Sequence, residues 1–395
     1  MWSVVCFNLA VRCLYAISKC MGLAPIIINF ENVTVHAANR YTSLLPTVLL
    51  LPILLILYPI SWYSVSSSFH DSTSASTGVV EQHTYTGSTA NMNGISWMVQ
   101  YVAGYVILLM ISIMQIGHRR RENTVKFLRD TVTLYHKLPS ILPNIVTNYQ
   151  EQRQPLSEVP HCKNLLVLFL LKSVLFEMVL IIATWFNLNS HFVATNTSSA
   201  FLHSLIAIFP SILLSILSNT FYGITLLYGL ALNLLNRKLL RIREKLSTML
   251  YYRDTDDTDG IHGHRHRKLT FHHYQLHFSD QIDEIAILYA EIAENIKMLH
   301  QYTSLPVLLI ITHSFLNIII ELFLIYLALT NGTPSINYPH IPMEFIFVLL
   351  NYLQIFFVIQ ASMTIEKQVE SSISVLSAFQ IGRMENRLEK SVRNM

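Results

Sequence analysis

The chain has 395 residues, 52% of them hydrophobic and only 13% charged, with a formal net charge of +3. Roughly a quarter of the residues of an ordinary soluble domain are charged, so this composition excludes one. The small net charge offers no basis for a nucleic-acid partner, and Cys6, Cys13, Cys20 and Cys162 have neither disulfide-framework nor zinc-site spacing.

Residues 1–42 form an N-terminal arm. Arg12 splits its apolar region and no clean small-x-small cleavage site follows, so it does not read as a signal peptide. Cys6, Cys13 and Cys20 share one face if the arm is helical; they are either packed thiols or palmitoylation sites beside a membrane.

Apolar runs then recur that are long enough to cross about 30 Å of hydrocarbon. They predict six spans: Ser43–Val65, Ile95–Gly117, Asn164–Asn187, Phe201–Leu235, Pro306–Thr330 and Met343–Thr364. The expected fold is an all-α polytopic membrane protein. Lys and Arg fix its orientation. They populate the arm, the segments after the second and fourth spans, and the tail, whereas loops 66–94, 188–200 and 331–342 contain none. The N-terminus is therefore expected in the cytosol. The sequons at Asn196 and Asn331 fall in loops assigned outside, where glycosylation is possible; that at Asn32 falls in the cytosolic arm.

Three helices are expected to outrun the bilayer on the cytosolic side. The fourth continues through NRKLLRIREKLSTML, and Ile282, Ile285, Tyr289, Ile292, Ile296 and Leu299 make a coiled-coil-like seam ahead of the fifth. Arg237, Lys238, Arg241, Arg243 and Lys245 on the fourth can face Asp280, Asp283, Glu284, Glu291 and Glu294 on the fifth, or both faces can be solvated. After the sixth span, Ile365, Val369, Ile373 and Leu376 form a stripe expected to pack on the other extensions. The His-rich segment from Tyr252 to His277 reads as a loop. The predicted organisation is thus an arm (1–42), helices one to four (43–235), extensions and linker (236–303), helices five and six (304–364) and a helical rod (365–395).

No phosphate loop, nucleophile elbow or His-Glu-x-x-His motif is present, so no enzyme, catalytic residue or cofactor is expected. The linker histidines read as part of a solvated basic linker rather than as ligands, so no metal site is expected. Polar residues inside spans carry more information, because they are expensive there. His313, Asn317 and Glu321 recur on one face of the fifth span, and Asn351 and Gln354 share a face of the sixth. Lys172 and Glu177 lie in the third, with Lys172 close enough to the cytosolic end to snorkel. Trp97, Tyr101 and Tyr105 on the second span and Trp185 on the third lie at depths similar to Asn317, Glu321, Asn351 and Gln354. Together these residues make either an outward cup for a small molecule or helix-to-helix hydrogen bonding beneath an aromatic belt.

Several segments resemble the insect gustatory receptors, relatives of the insect odorant receptors. They are AISKCMGLAPI, FYGITLLYGLALNLLNRKLLRIREKL, YAEIAENIKMLHQYTSLPVLLIITHSFLNIIIELFLIYLAL and YLQIFFVIQASMTIEKQVESSISVL. The resemblance implies seven helices with the N-terminus inside the cell, and a homo- or hetero-tetramer in the plasma membrane. It implies an anchor built from the cytosolic extensions, a cation pore lined by the seventh helices, and an outer pocket for a small-molecule tastant. The family's Thr-Tyr-(five apolar)-Gln-Phe mark is absent, and RMENRLEKSVRNM reads as the polar approach to a seventh helix. The resemblance therefore implies a chain that stops short of its pore helix. A G-protein-coupled receptor or a small-solute transporter is the alternative. A cytosolic N-terminus and the lack of Asp-Arg-Tyr and Asn-Pro-x-x-Tyr motifs oppose the first, and the lack of an inverted repeat opposes the second.

Overall fold

The structure, a computed structural model, describes residues 12–13, 15–16, 26–29, 34–37, 55–60, 63, 98–111, 113, 126–134, 167–194, 200–256, 264–330, 340–379, 390 and 392. Helix dominates: α1 (residues 55–60), α2 (Met98–Ile111), α3 (residues 126–134), α4 (residues 167–194), α5 (Ala200–Asp256), α6 (His264–Thr330) and α7 (His340–Ser377). Four of them, α4 to α7, are long and apolar enough to cross a membrane, so the chain is a polytopic helical membrane protein. They carry the predicted third to sixth spans, and α2 lies within the second. Of the first span only α1 and Tyr63 are described, and Asn196 and Asn331 lie outside the described residues.

One element was not anticipated, and one expectation needs correction. The arm contains a short antiparallel hairpin, β1 (Ile26–Asn29) paired with β2 (Thr34–Ala37) in the register Ile26 opposite Ala37. Its β-branched run Ile-Ile-Ile favours strand over helix. The His-rich segment is also mostly helix, not loop. Helix α5 runs on to Asp256 and α6 begins at His264. After Gly263 no glycine or proline occurs until Pro306, so nothing interrupts the backbone ladder.

Helices α5 and α6 have 57 and 67 residues, far more than the roughly 20 that span a bilayer. Both helices are therefore longer than one crossing needs. Pro210 and Pro306 lie inside them, as membrane helices tolerate when neighbouring groups satisfy the freed carbonyls.

The chain divides into two compact units. The first comprises Met1–Val132, Pro155–Gly223 and Tyr302–Ile359. Its surface is apolar: Val174, Leu175, Met178, Leu322, Phe323 and Tyr326 are exposed, as lipid-facing side chains are. Its interior mixes Leu108, Ile111, Leu213 and Tyr222 with polar groups. Gly104 is needed for close approach. A Cβ there would collide with the Tyr58 hydroxyl and come within 3.3 Å of the Pro210 ring.

The second unit comprises Thr133–Gln154, Ile224–Gln301 and Gln360–Met395. Its outer positions carry charge, for example Arg241, Lys245, Glu284, Glu294, Lys297 and Glu366. Its core takes Leu232, Leu235, Leu239 and Ile242 from α5 and Ile282, Ile285, Ile292 and Leu299 from α6. The predicted α6 seam is therefore present, with Tyr289 and Ile296 half-buried and Leu288 added. Lys238 donates to Glu284 Oε2 at 3.1 Å, one of the charge pairs that the sequence offers. Glu284 is about half exposed, so the pair contributes only about 0.2–1 kcal/mol.

The α7 stripe is corrected. Ile373 is 63% exposed, whereas Ala361, Ser372, Val375 and Phe379 are buried. Polar contacts and small residues set this face. Asn236 Nδ2 donates to the Gln368 carbonyl at 2.8 Å, and Ser372 Oγ donates to Asn236 Oδ1 at 2.6 Å. A Cβ at Gly229 would stand 3.0 Å from Thr364 Cγ2, so glycine lets α5 and α7 approach here.

Candidate functional site

The first unit holds two cavities with shared walls. One is a small, partly open hollow lined by Tyr58, Gln100, Tyr101, Gly104, His313 and Asn317. The other, of similar size, lies against Ser211, Ser215, His313, Asn317, Asn351 and Gln354. Thr184, Ser211, His313 and Asn317 belong to both. No Asp, Glu, Lys or Arg lines either cavity among the described residues.

Each wall follows from its helix. On α6, His313 and Asn317 are one helical turn apart and project together. On α7, Asn351 and Gln354 are three apart and share a face. Asn317 Nδ2 donates to Asn351 Oδ1 at 3.4 Å and to His313 Nε2 at 3.3 Å. Asn351 Nδ2 in turn donates to the Phe347 carbonyl at 2.9 Å. In that tautomer the His313 ring carries its proton on Nδ1. His313 Nδ1 and Gln354 Oε1 are both buried and have no hydrogen-bond partner among the described residues. One donor and one acceptor are thus left open beside the cavities.

The aromatic wall is built on Tyr58. Tyr101 Oη donates to the Tyr58 carbonyl at 2.6 Å, with the ring centroids 4.1 Å apart. Tyr105 stacks on Tyr58 at 5.9 Å. Glu321 is buried and accepts from Gln100 Nε2 at 3.3 Å, which ties α6 to α2 beside the first cavity.

The eight residues read from the sequence as a cup separate accordingly. Tyr101, Asn317, Asn351 and Gln354 line the cavities; Tyr105 and Glu321 stand behind the lining. Trp185 is half-buried and lines neither cavity, and Trp97 lies outside the described residues. Sequence reasoning missed Tyr58, Gln100, Thr184 and Ser211. His313 was legible as part of the four-residue polar repeat on the fifth span.

Lys172 needs a further correction. It does not snorkel; its relative exposure is 0%. It forms an ion pair with Glu177 and donates to Ser218 Oγ at 2.9 Å and Asn219 Oδ1 at 2.8 Å. The Ser215 hydroxyl donates to Glu177 Oε2. Residues Leu171–Phe176 form a π turn within α4, and the Glu177 N–H donates to the Lys172 carbonyl, five residues back.

A helical membrane protein with a small polar hollow among its spans fits a receptor for small molecules. Comparison with known families agrees, since the 7tm chemosensory receptor family matches residues 11–394. The chain belongs to the 7tm chemosensory receptor family. No curated protein matched the chain. Family membership makes this a chemosensory receptor, and its paired cavities become the natural place to look for a ligand.

Proposed function

We propose that this chemosensory receptor is of the gustatory type, a subunit of a ligand-gated cation channel that responds to a small-molecule tastant. On this reading it lies in the plasma membrane with its N-terminus in the cytosol, as the placement of Lys and Arg suggests. It works as a homo- or hetero-tetramer with other receptor subunits. The single observation that carries the ligand reading is the pair of cavities with an open donor at His313 Nδ1 and an open acceptor at Gln354 Oε1. Buried polar groups are normally satisfied, so two left open at one hollow favour an occupant that supplies both partners. Among the described residues the lining carries no charged side chain, and Glu321 and Glu177 stand one hydrogen bond behind it, which favours a neutral molecule over an anion. A compact compound bearing hydroxyl or amide groups against an apolar body fits these walls.

The test is functional. The 395-residue chain is expressed in cells, alone and with other receptor subunits, and calcium entry is recorded against a panel of neutral hydroxylated compounds. The expected result is a concentration-dependent response from wild type that Gln354→Met weakens roughly tenfold or more in potency at equal surface level, the loss of one buried hydrogen bond. A response insensitive to both Gln354→Met and His313→Phe contradicts the site. A response confined to charged compounds contradicts the ligand class.

A further inference from the structure

The second cavity and the buried ion pair meet at one side chain. Ser215 lines the cavity and donates its hydroxyl to Glu177 Oε2. Glu177 Oε1 holds Lys172, whose remaining donors reach Ser218 and Asn219 on α5. All three Lys172 protons therefore have acceptors. The pair also depends on backbone geometry. In a regular α-helix, residues five apart point roughly 140° away from each other. The π turn at Leu171–Phe176 widens α4 and brings Lys172 and Glu177 onto one face. A π turn is a rare, locally distorted stretch of helix, frequently found at functional sites. Here it persists because α5 grips it at Ser215, Ser218 and Asn219, the last also donating to the Ser173 carbonyl at 3.4 Å.

We propose that Ser215 is a positioning residue that latches the π turn of α4 through Glu177, and that a ligand in the second cavity releases the turn by taking the Ser215 hydroxyl. The trigger rests on the small-molecule reading above; the latch does not. A ligand shifts such an equilibrium only by binding one state better than the other, and competition for a single hydroxyl provides that difference. Release leaves the Lys172–Glu177 pair intact but less firmly tied to α5. The changed element is then the turn itself, and the rest of the helix packing stays as it was.

The experiment is hydrogen–deuterium exchange on the purified 395-residue chain in lipid nanodiscs, without ligand, comparing wild type, Ser215→Ala and Ser215→Thr. The amides of 173–177 in Ser215→Ala should exchange roughly tenfold to a hundredfold faster, as expected for losing a hydrogen bond to a charged group. Exchange at 306–325 should not change. Ser215→Thr keeps the hydroxyl and has the cavity beside it for its methyl group, so it should exchange like wild type. Should Ser215→Ala fail to accumulate, Ser215→Cys, a small side chain with only a weak donor, is read in its place with the same expectation. Unchanged exchange at 173–177 overturns the latch. Faster exchange spread evenly over α4 and α5 also overturns it, because Ser215 would then be only a packing residue. Neither result touches the ligand reading, which stands or falls on the cell response.

Discussion

Two polar regions of the first unit share Ser215 and differ in how completely their groups are satisfied. At the Lys172–Glu177 pair every proton of the ammonium group has an acceptor and both carboxylate oxygens are held, while the neighbouring Ser173 Oγ is buried without a partner among the described residues. At the cavities, His313 Nδ1 and Gln354 Oε1 are buried without partners among the described residues. Low dielectric penalises an open polar group as strongly as it strengthens a closed pair. The ion pair therefore reads as framework, and the open groups are where we propose that a ligand binds. Their common serine is where, on that proposal, occupancy would reach the framework.

The comparison breaks most visibly at the ion pair. Lys172→Met leaves the Glu177 carboxylate in a buried site without its cation, which costs about 3–5 kcal/mol. Folded receptor should largely disappear from a detergent-solubilised preparation run by size exclusion. Lys172→Met combined with Glu177→Gln should recover most of it. A double variant as poor as the single would show that the two charges are not coupled.

A smaller effect is expected at the cavity wall. Gly104→Ala pushes a methyl group against the Tyr58 hydroxyl and the Pro210 ring. Overpacking of this kind costs about 1–3 kcal/mol. The thermal unfolding midpoint should fall, and Tyr58→Phe on the same background should restore part of it by removing the nearest atom. No recovery would mean that Tyr58 is not what Gly104 accommodates.

The smallest effect serves as a control in the second unit. Asn236→Ala removes a donor to the Gln368 carbonyl and an acceptor for Ser372. Ser372 keeps a second acceptor in the Gln368 carbonyl, so the loss should be about 1 kcal/mol. Ligand response measured at equal surface level should not change. A large change in ligand potency would mean that this bridge does more than hold helices together.

Much of the fold was legible because its signals are long. Apolar runs marked the spans, and the three-four spacing from Ile282 to Leu299 marked the α6 seam. Periodicity misled where the backbone or a polar contact overrode it. Lys172 and Glu177 are out of phase on an α-helix, so nothing in their spacing suggested a pair; only the π turn aligns them. On α7 the largest apolar residues marked one stripe, yet Asn236 and Gly229 bring another face inward and leave Ile373 exposed. At the site, the polar repeats on the fifth and sixth spans were readable because such groups are costly in membranes. Tyr58, among the prolines of the first span, was not, because nothing local distinguishes it from an interfacial aromatic.

Ligand binding at the cavities is tested most directly by a thermal-shift titration of purified receptor in nanodiscs with the neutral hydroxylated compound that evokes the strongest cell response. Binding to the folded state alone adds about 2.7 kcal/mol at a ligand concentration of about one hundred times Kd. The wild-type midpoint should rise, and Gln354→Met and His313→Phe should each reduce that rise at the same ligand concentration, while Asn236→Ala retains it. An undiminished shift in both cavity variants would place the ligand outside the cavities.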